Sequence, residues 1–231
     1  MLVSVVTSLG SVVESSKGGD SQAHQLELLH DIEQQVRLGP VEQIKAVQAD
    51  LEKHLMASLL QGPAPPLRHL ISSSFVYAYG RGARQGMYTT VGQLLSWMTN
   101  KGSPAKSESS KAAILWLLGD LSRSHGGAMV ALCHDTIGLL IKMFRAPEIP
   151  LRTAACMALA SALVGSGGIP AAMQQEMIKN LKQTIGERGV SVELRQACLA
   201  CCAPLVGYSE GLWATDIVDQ VCTAPVALLP A

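Results

Sequence analysis

Apolar residues recur at helical spacing along most of this chain of 231 residues. The segment from Val41 to Leu60 is the clearest example, because its apolar residues follow one another at steps of three and four, the spacing of one face of an α-helix. Those residues are Ile44, Val47, Leu51, Leu55 and Leu59. Similar patterns predict helices over 22–37, 87–98, 129–144, 170–185 and 213–229. Since no stretch alternates strictly between apolar and polar residues, we expect an all-α chain of about ten helices.

A repeat connects these helices. Four small-residue, apolar stretches each begin with a basic residue, and the intervals between those residues are 43, 41 and 43. The four basic residues are Arg68, Lys111, Arg152 and Arg195. A period of about 40 to 47 residues built from pairs of helices is typical of HEAT and armadillo repeats. The sequence therefore predicts a HEAT/armadillo-like α-solenoid of about four helix pairs, with partial flanking helices, over residues 21–231.

The ends of the four repeated helices carry two further expectations. Each stretch reaches a glycine that we expect to end its helix, namely Gly80, Gly119, Gly165 and Gly207. Each basic residue stands in the first turn, where the helix dipole disfavours a positive charge. We therefore expect the four basic side chains to have a structural role, lying at equivalent positions along one edge and donating a hydrogen bond to a neighbouring turn.

Composition excludes several classes of protein. Hydrophobic residues make up 48% of the chain and charged residues only 16%, which is the opposite of a disordered chain. Lys plus Arg and Asp plus Glu both number 18, so the zero net charge argues against a nucleic-acid binder. No run reaches the about 18 uninterrupted apolar residues of a membrane helix. Residues 1–20 predict a short apolar helix or an irregular start rather than a signal peptide, because no basic residue precedes Lys17. The default location is cytosolic.

The cysteines are the first candidates for chemistry. All six lie in a long chain, mostly within apolar, Ala-rich runs, and so predict small, reduced core residues. Cys198, Cys201 and Cys202 share one helix face and could converge on a metal ion. No histidine follows Lys142 to complete a recognisable zinc site, so core packing is the preferred interpretation.

Two other motifs are candidates for chemistry. His134 and Asp135 could be a base and its orienting carboxylate, but the neighbouring thiol of Cys133 would point elsewhere on a helix. His125 and His134 do not have the spacing of a metal site. The loop 79–86 (YGRGARQG) lacks the Lys-Ser/Thr of a phosphate-binding loop. It predicts an inter-repeat loop with a left-handed glycine cap, with an anion contact through Arg81 and Arg84 as the alternative. We expect no enzyme activity and no catalytic, cofactor or metal site.

Several short strings carry a resemblance to a known family. They are LLQGPAPPLR at 59–68, YAYG at 77–80, KAA at 111–113 and SHGG at 124–127, in that order along the chain. With the order of the helices, they make residues 26–225 resemble the N-terminal part of the large HEAT-repeat accessory proteins of the clathrin adaptor complex at the trans-Golgi network. Members of that family are much longer, which would make this chain a fragment or the product of a truncated gene model. Many HEAT repeats also carry an aspartate shortly before the arginine, where this chain has Pro147 and Glu148 or Val190.

The resemblance implies a non-catalytic scaffold in vesicle traffic. It implies roles in endosome-to-Golgi retrieval, endocytosis and protein localisation, with the clathrin adaptor complex or associated trafficking factors as partners. Contact with membranes of the trans-Golgi network, endosomes or endocytic vesicles would be peripheral and through those partners. The alternative is a HEAT scaffold of another system, such as a phosphatase regulatory subunit or a nuclear transport factor. Periodicity cannot separate the two, because exposed residues decide which partner a solenoid binds.

The C-terminal segment generates a testable prediction. The helix expected over 213–229 carries apolar residues such as Ile217, Val221 and Leu228, with only Asp216 and Asp219 as charges. A terminal repeat without a polar outer face leaves apolar surface in water. We expect the isolated chain to self-associate at tens of micromolar, a rough range for such surfaces, when measured by light scattering. A clean monomer in that range would mean that this end is covered.

Overall fold

The computed structural model describes residues 2–15, 19–187 and 189–208. Within these ranges the regular structure is ten α-helices and a short 3-10 turn at Gly126–Ala128, which confirms an all-α chain. The helices are α1 Leu2–Ser15, α2 Gly19–Leu38, α3 Val41–Leu60, α4 Pro65–Arg81, α5 Gln85–Thr99, α6 Glu108–His125, α7 Val130–Met143, α8 Ile149–Ser166, α9 Ala171–Gly186 and α10 Val192–Tyr208. The helix expected over 213–229 lies outside the described residues.

The helices pack as successive pairs in two layers. Each odd-numbered helix contacts the even-numbered helix that follows it, from α1 with α2 to α9 with α10. The even helices form a continuous layer, in which α2 contacts α4, α4 contacts α6, α6 contacts α8 and α8 contacts α10. In the odd layer α1 contacts α3, α5 contacts α7 and α7 contacts α9. The described residues therefore form five pairs, one more than the about four expected, in an arrangement compatible with an α-solenoid.

The additional pair comes from the N-terminus. Leu2, Val6, Leu9 and Val13 of α1 are buried, at steps of four, three and four. They belong to the same apolar cluster as residues of α2 and α3, the two helices that α1 contacts. Helix α1 is thus part of the stack, because its apolar face is covered by both α2 and α3.

Four even helices, α4, α6, α8 and α10, bury the same register positions. Counted from the start of each helix, the third, seventh, tenth, eleventh and fourteenth residues are buried in all four. In α4 they are Leu67, Ile71, Ser74, Phe75 and Ala78; in α6, Ser110, Ile114, Leu117, Leu118 and Leu121; in α8, Leu151, Ala155, Ala158, Leu159 and Ala162; in α10, Leu194, Cys198, Cys201, Cys202 and Leu205. Each of these positions lies three or four residues from another member of the set, which places all five on one helix face. The four helices therefore use the same face for the core.

The contact between α6 and α8 depends on glycine. A Cβ atom added to Gly119 would lie 2.6 Å from the Cα of Ala158, and one added to Gly165 would overlap the carbonyl oxygen of Ser122. The backbones of the two helices therefore touch where these residues lie. The expectation that Gly119 ends its helix is wrong, because α6 continues to His125. The glycine is needed for close approach inside the helix rather than for a turn after it.

Helix α8 is the most apolar of the repeated helices. By length and composition it is the one helix in the described part of the chain that could cross a membrane. It lies between α6 and α10 in the even layer. Leu159, Leu163 and Ala162 of α8 are completely buried there. Its composition is accounted for by its place in the core.

The close packing of α6 on α8 predicts that alanine substitution has different effects on stability at two glycines. Gly119→Ala places a methyl group against the backbone of α8, so we expect a loss of about 1–3 kcal/mol in the free energy of unfolding. Gly92→Ala in α5 is the matched control, because a Cβ there meets no atom within 4 Å. Alanine stabilises an exposed helix by up to about 1 kcal/mol relative to glycine. Urea denaturation followed by circular dichroism measures both, and equal effects would contradict the close packing.

Candidate functional site

The four recurring basic residues occupy one position of the repeat. Arg68, Lys111, Arg152 and Arg195 are each the fourth residue of an even helix, in α4, α6, α8 and α10 respectively. These four helices lie side by side in one layer. Each basic residue directly follows the buried third residue of its helix, so its aliphatic stem leaves the core at the same level of the stack.

Arg68 ties its own pair to the next one. Its Nε donates to the carbonyl oxygen of Pro63 at 2.7 Å, and its Nη2 donates to Oγ of Ser109, at the start of α6, at 2.9 Å. Ser109 Oγ in turn donates to the carbonyl oxygen of Gly62. Partial burial lowers the pKa of the Arg68 guanidinium. The side chain therefore joins the turn before α4 to the start of α6.

Arg152 also reaches into the next pair, but by different contacts. Its Nη2 donates to Glu187 Oε2 at 2.9 Å and to Thr184 Oγ1 at 3.3 Å, both at the end of α9. Glu187 is an acidic partner of Arg152 that the sequence did not indicate. Many HEAT repeats carry an acid shortly before the arginine, whereas Glu187 follows Arg152 by 35 residues and precedes Arg195 by eight. Within the described ranges Lys111 makes no side-chain hydrogen bond or ion pair, and Arg195 Nε is buried without a partner.

The glycine-rich loop 79–86 covers a buried polar network. Gln48 of α3 pairs with the backbone of Ala83 through both atoms of its amide, and donates to Glu52 Oε1 at 2.8 Å. The hydroxyl groups of Tyr79 and Thr90 are hydrogen-bonded at 2.7 Å. Burial raises the pKa of Glu52, and the hydrogen bond from Gln48 opposes that shift.

The glycines of this loop make room for the network. A Cβ on Gly82 would overlap Gln48 Oε1, and one on Gly86 would lie 2.7 Å from Glu52 Oε1. The expected left-handed cap is wrong, because Gly82 has a φ of −92°. Arg81 donates from Nη1 to the carbonyl oxygens of Val36 and Arg37, and so caps the end of α2. Its guanidinium is engaged in this cap, whereas Arg84 is exposed.

The cysteines fill core positions of the repeat. Cys133, Cys156, Cys198, Cys201 and Cys202 are free and buried, whereas Cys222 lies outside the described residues. The sulfur atoms of Cys156 and Cys198 are 3.8 Å apart, across the contact between α8 and α10. Burial raises the pKa of Cys202 to about 11. Among the residues that the structure describes, no three His, Cys, Asp or Glu side chains are grouped to hold a metal ion.

The two histidines considered for chemistry have separate surroundings. His125, at the end of α6, donates from Nε2 to the carbonyl oxygen of Val76 in α4 at 3.1 Å. It therefore links two helices of the even layer. His134 and Asp135 lie on α7 and line a groove in the odd layer. In the described structure no hydrogen bond joins the two side chains, so they do not form a base with its orienting carboxylate.

This groove is an open surface feature with a volume of about 470 Å³. It runs from α5, which contributes Leu95 and Ser96, across α7 to Met173 on α9. Buried Leu139 and Ile141 lie at its base. Its charged edge is formed by Asp135, Lys142 and Glu176. An apolar floor with a polar rim is the usual composition of a protein-binding surface.

No model of a known protein family matches the chain, and no solved structure matches it. The residues and surfaces described above are therefore the basis for assigning a function.

The hydrogen bonds of Arg68 predict that replacing the basic residue by methionine lowers stability in α4 but not in α6. Arg68→Met keeps the aliphatic stem but leaves the carbonyl oxygen of buried Pro63 without its donor. We expect a loss of about 1.5–3 kcal/mol in the free energy of unfolding, the range for hydrogen bonds to charged groups. Lys111→Met is the matched control, and we expect a change within about 0.5 kcal/mol. Chemical denaturation measures both, and an equal loss would contradict the assigned role of Arg68.

Proposed function

We propose that this chain is a non-catalytic HEAT/armadillo-type scaffold that binds proteins in intracellular vesicle traffic. The observation that carries the repeat assignment is the shared register of α4, α6, α8 and α10. These helices bury the same five positions and start 43, 41 and 43 residues apart. That spacing lies within the period of HEAT and armadillo repeats, and the two-layer packing supports the same assignment.

The groove between α5, α7 and α9 supports a role in protein binding. Stacked helix pairs expose long surfaces, and proteins of this kind bind partners along them. The groove combines half-buried Leu95 and Met173 with exposed Asp135 and Lys142. Apolar side chains would supply the buried area of an interface, and the charges of both signs would set which partner fits.

The trafficking role is supported by the resemblance of residues 26–225 to the accessory proteins of the clathrin adaptor complex. On this proposal the chain is cytoplasmic and meets membranes of the trans-Golgi network, endosomes or endocytic vesicles only through its partners. The clathrin adaptor complex or associated trafficking factors are the proposed partners. Endosome-to-Golgi retrieval, endocytosis and protein localisation are the processes it would serve.

Proximity labelling in cells tests the proposal. The chain fused to a labelling enzyme is expected to enrich adaptor and Golgi proteins over the enzyme alone. Asp135→Arg reverses a charge at the edge of the groove and is expected to reduce that enrichment. Asp31→Arg is the matched control, because Asp31 is exposed on α2, away from the groove.

One result would contradict the trafficking role, and another would contradict only the assigned contact surface. Enrichment of phosphatase or nuclear-pore proteins instead would favour the HEAT scaffold of another system. Equal enrichment by Asp135→Arg and the unsubstituted chain would place the contact surface elsewhere, while leaving the trafficking role in place.

A further inference from the structure

Two glycines stand in the middle of odd helices without a reason inside the protein. Gly92 is the eighth of the 15 residues of α5, and Gly138 is the ninth of the 14 residues of α7. Among the described residues, a Cβ atom on Gly92 would meet no atom within 4 Å. One on Gly138 would meet Met173 Cε at 3.7 Å, an ordinary contact distance. Since glycine is unfavourable inside a helix, the packing of the chain itself does not account for either residue.

Glycines in the even layer show what such a residue does when the fold needs it. A Cβ on Gly119 of α6 would lie 2.6 Å from the Cα of Ala158, and one on Gly165 of α8 would overlap the carbonyl oxygen of Ser122. Glycine there lets another helix approach the backbone. A glycine in the middle of a helix with nothing against it leaves the same room for an approach from outside.

Gly138 lies in the groove between α5, α7 and α9, where the groove crosses α7. Asp135 and Lys142 stand on α7 on the two sides of this crossing. They are seven residues apart, or about 10.5 Å along the helix axis at 1.5 Å per residue. An α-helix with its side chains is about 10–12 Å across. The space over Gly138 therefore has the width of one helix.

The two sides of the crossing carry opposite charges that are free for a partner. Asp135 and Lys142 are exposed, and within the described ranges neither makes an ion pair or a side-chain hydrogen bond. The third charge of the groove, Glu176, is already paired with Arg145 at 3.6 Å. A partner that lies between them is matched in charge when it presents a basic side chain to Asp135 and an acidic one to Lys142.

We propose that this groove binds one α-helix of a partner protein, with the partner's backbone close to Gly138. The proposal rests on the role of the groove in protein binding and adds the kind of partner it takes. The occupant is a helix rather than an extended strand, because neighbouring strands lie only about 4.7–4.9 Å apart. A strand over Gly138 would leave one of the two charges out of reach.

The groove also specifies the sequence of that helix. A small residue lies over Gly138, since a large one would hold the two backbones apart. Consecutive residues of a helix are about 100° apart around its axis, so the residues directly before and after the small one lie on opposite flanks. One of them is basic and pairs with Asp135, and the other is acidic and pairs with Lys142. Apolar residues three or four positions away in each direction contact Leu95 of α5 and Met173 of α9.

Selection from a displayed library of helix-forming peptides, carried out on the whole chain, tests the proposal. Enriched peptides are expected to have a small residue between a basic and an acidic one, with apolar residues three or four positions away. Asp135→Arg is expected to select an acidic residue in place of the basic one. Gly138→Ala is expected to weaken binding of the best peptide at least about fivefold, because a methyl group intrudes into a close helix contact. Fluorescence anisotropy measures that binding.

Gly186→Ala is the matched control, because a Cβ there meets no described atom within 4 Å and the residue does not line the groove. It is expected to bind the peptide like the unsubstituted chain. Thermal unfolding separates binding from folding, since Gly138→Ala is expected not to lower the midpoint. Failure to enrich any peptide, or equal binding by Gly138→Ala, would overturn the site. Enriched peptides that depend on Asp135 but lack helical spacing would overturn the helix and leave the groove as a binding surface. Because the selection uses the chain alone, neither result bears on the trafficking role, which proximity labelling tests separately.

Discussion

The close contact between α6 and α8 is the constraint on which the even layer depends. Gly119 and Gly165 let the two backbones touch, with Ala158 and Ser122 as the opposing residues. This contact fixes the level of α8 relative to α6, and therefore the level at which Arg152 and the start of α8 stand. The contact between α8 and α10 uses cysteines, since Cys156 lies against Cys198 and Cys201. Small residues at these positions allow close packing that larger side chains would prevent.

The sequence predicted the helices and the spacing of the even ones well, because both depend on local patterns. The basic residue marks the start of each even helix, so the intervals of 43, 41 and 43 equal the distances between helix starts. Gly119 was misinterpreted, because a glycine at a helix end and one at a close helix contact look alike in sequence. The pairing of α1 was also not predictable from its own residues. An apolar segment shows that it must be covered, but not which helices cover it.

The contacts of the basic residues could be anticipated in kind but not in detail. Arg68 donates a hydrogen bond to Ser109, which lies 41 residues later in the sequence, and Arg152 donates one to Glu187, which lies 35 residues later. Such partners are set by how far one pair is shifted against the next, which no local pattern records. The network under the loop 79–86 is a similar case. Its glycines were visible in the sequence, but Gln48 and Glu52, which require them, lie on α3 and form no recognisable motif.

The repeated arginine position is satisfied to different extents along the even layer. Arg68 and Arg152 have the same position, the same preceding buried leucine and a partner in the next pair. In α4 both Nε and Nη2 of Arg68 are paired within the protein. In α8 and α10 the Nε atoms of Arg152 and Arg195 are both buried without a partner. Stability alone would favour a partner for both donors. The spacing of the even helices therefore decides where each arginine stands, and the residues of the next pair decide how many of its donors find an acceptor.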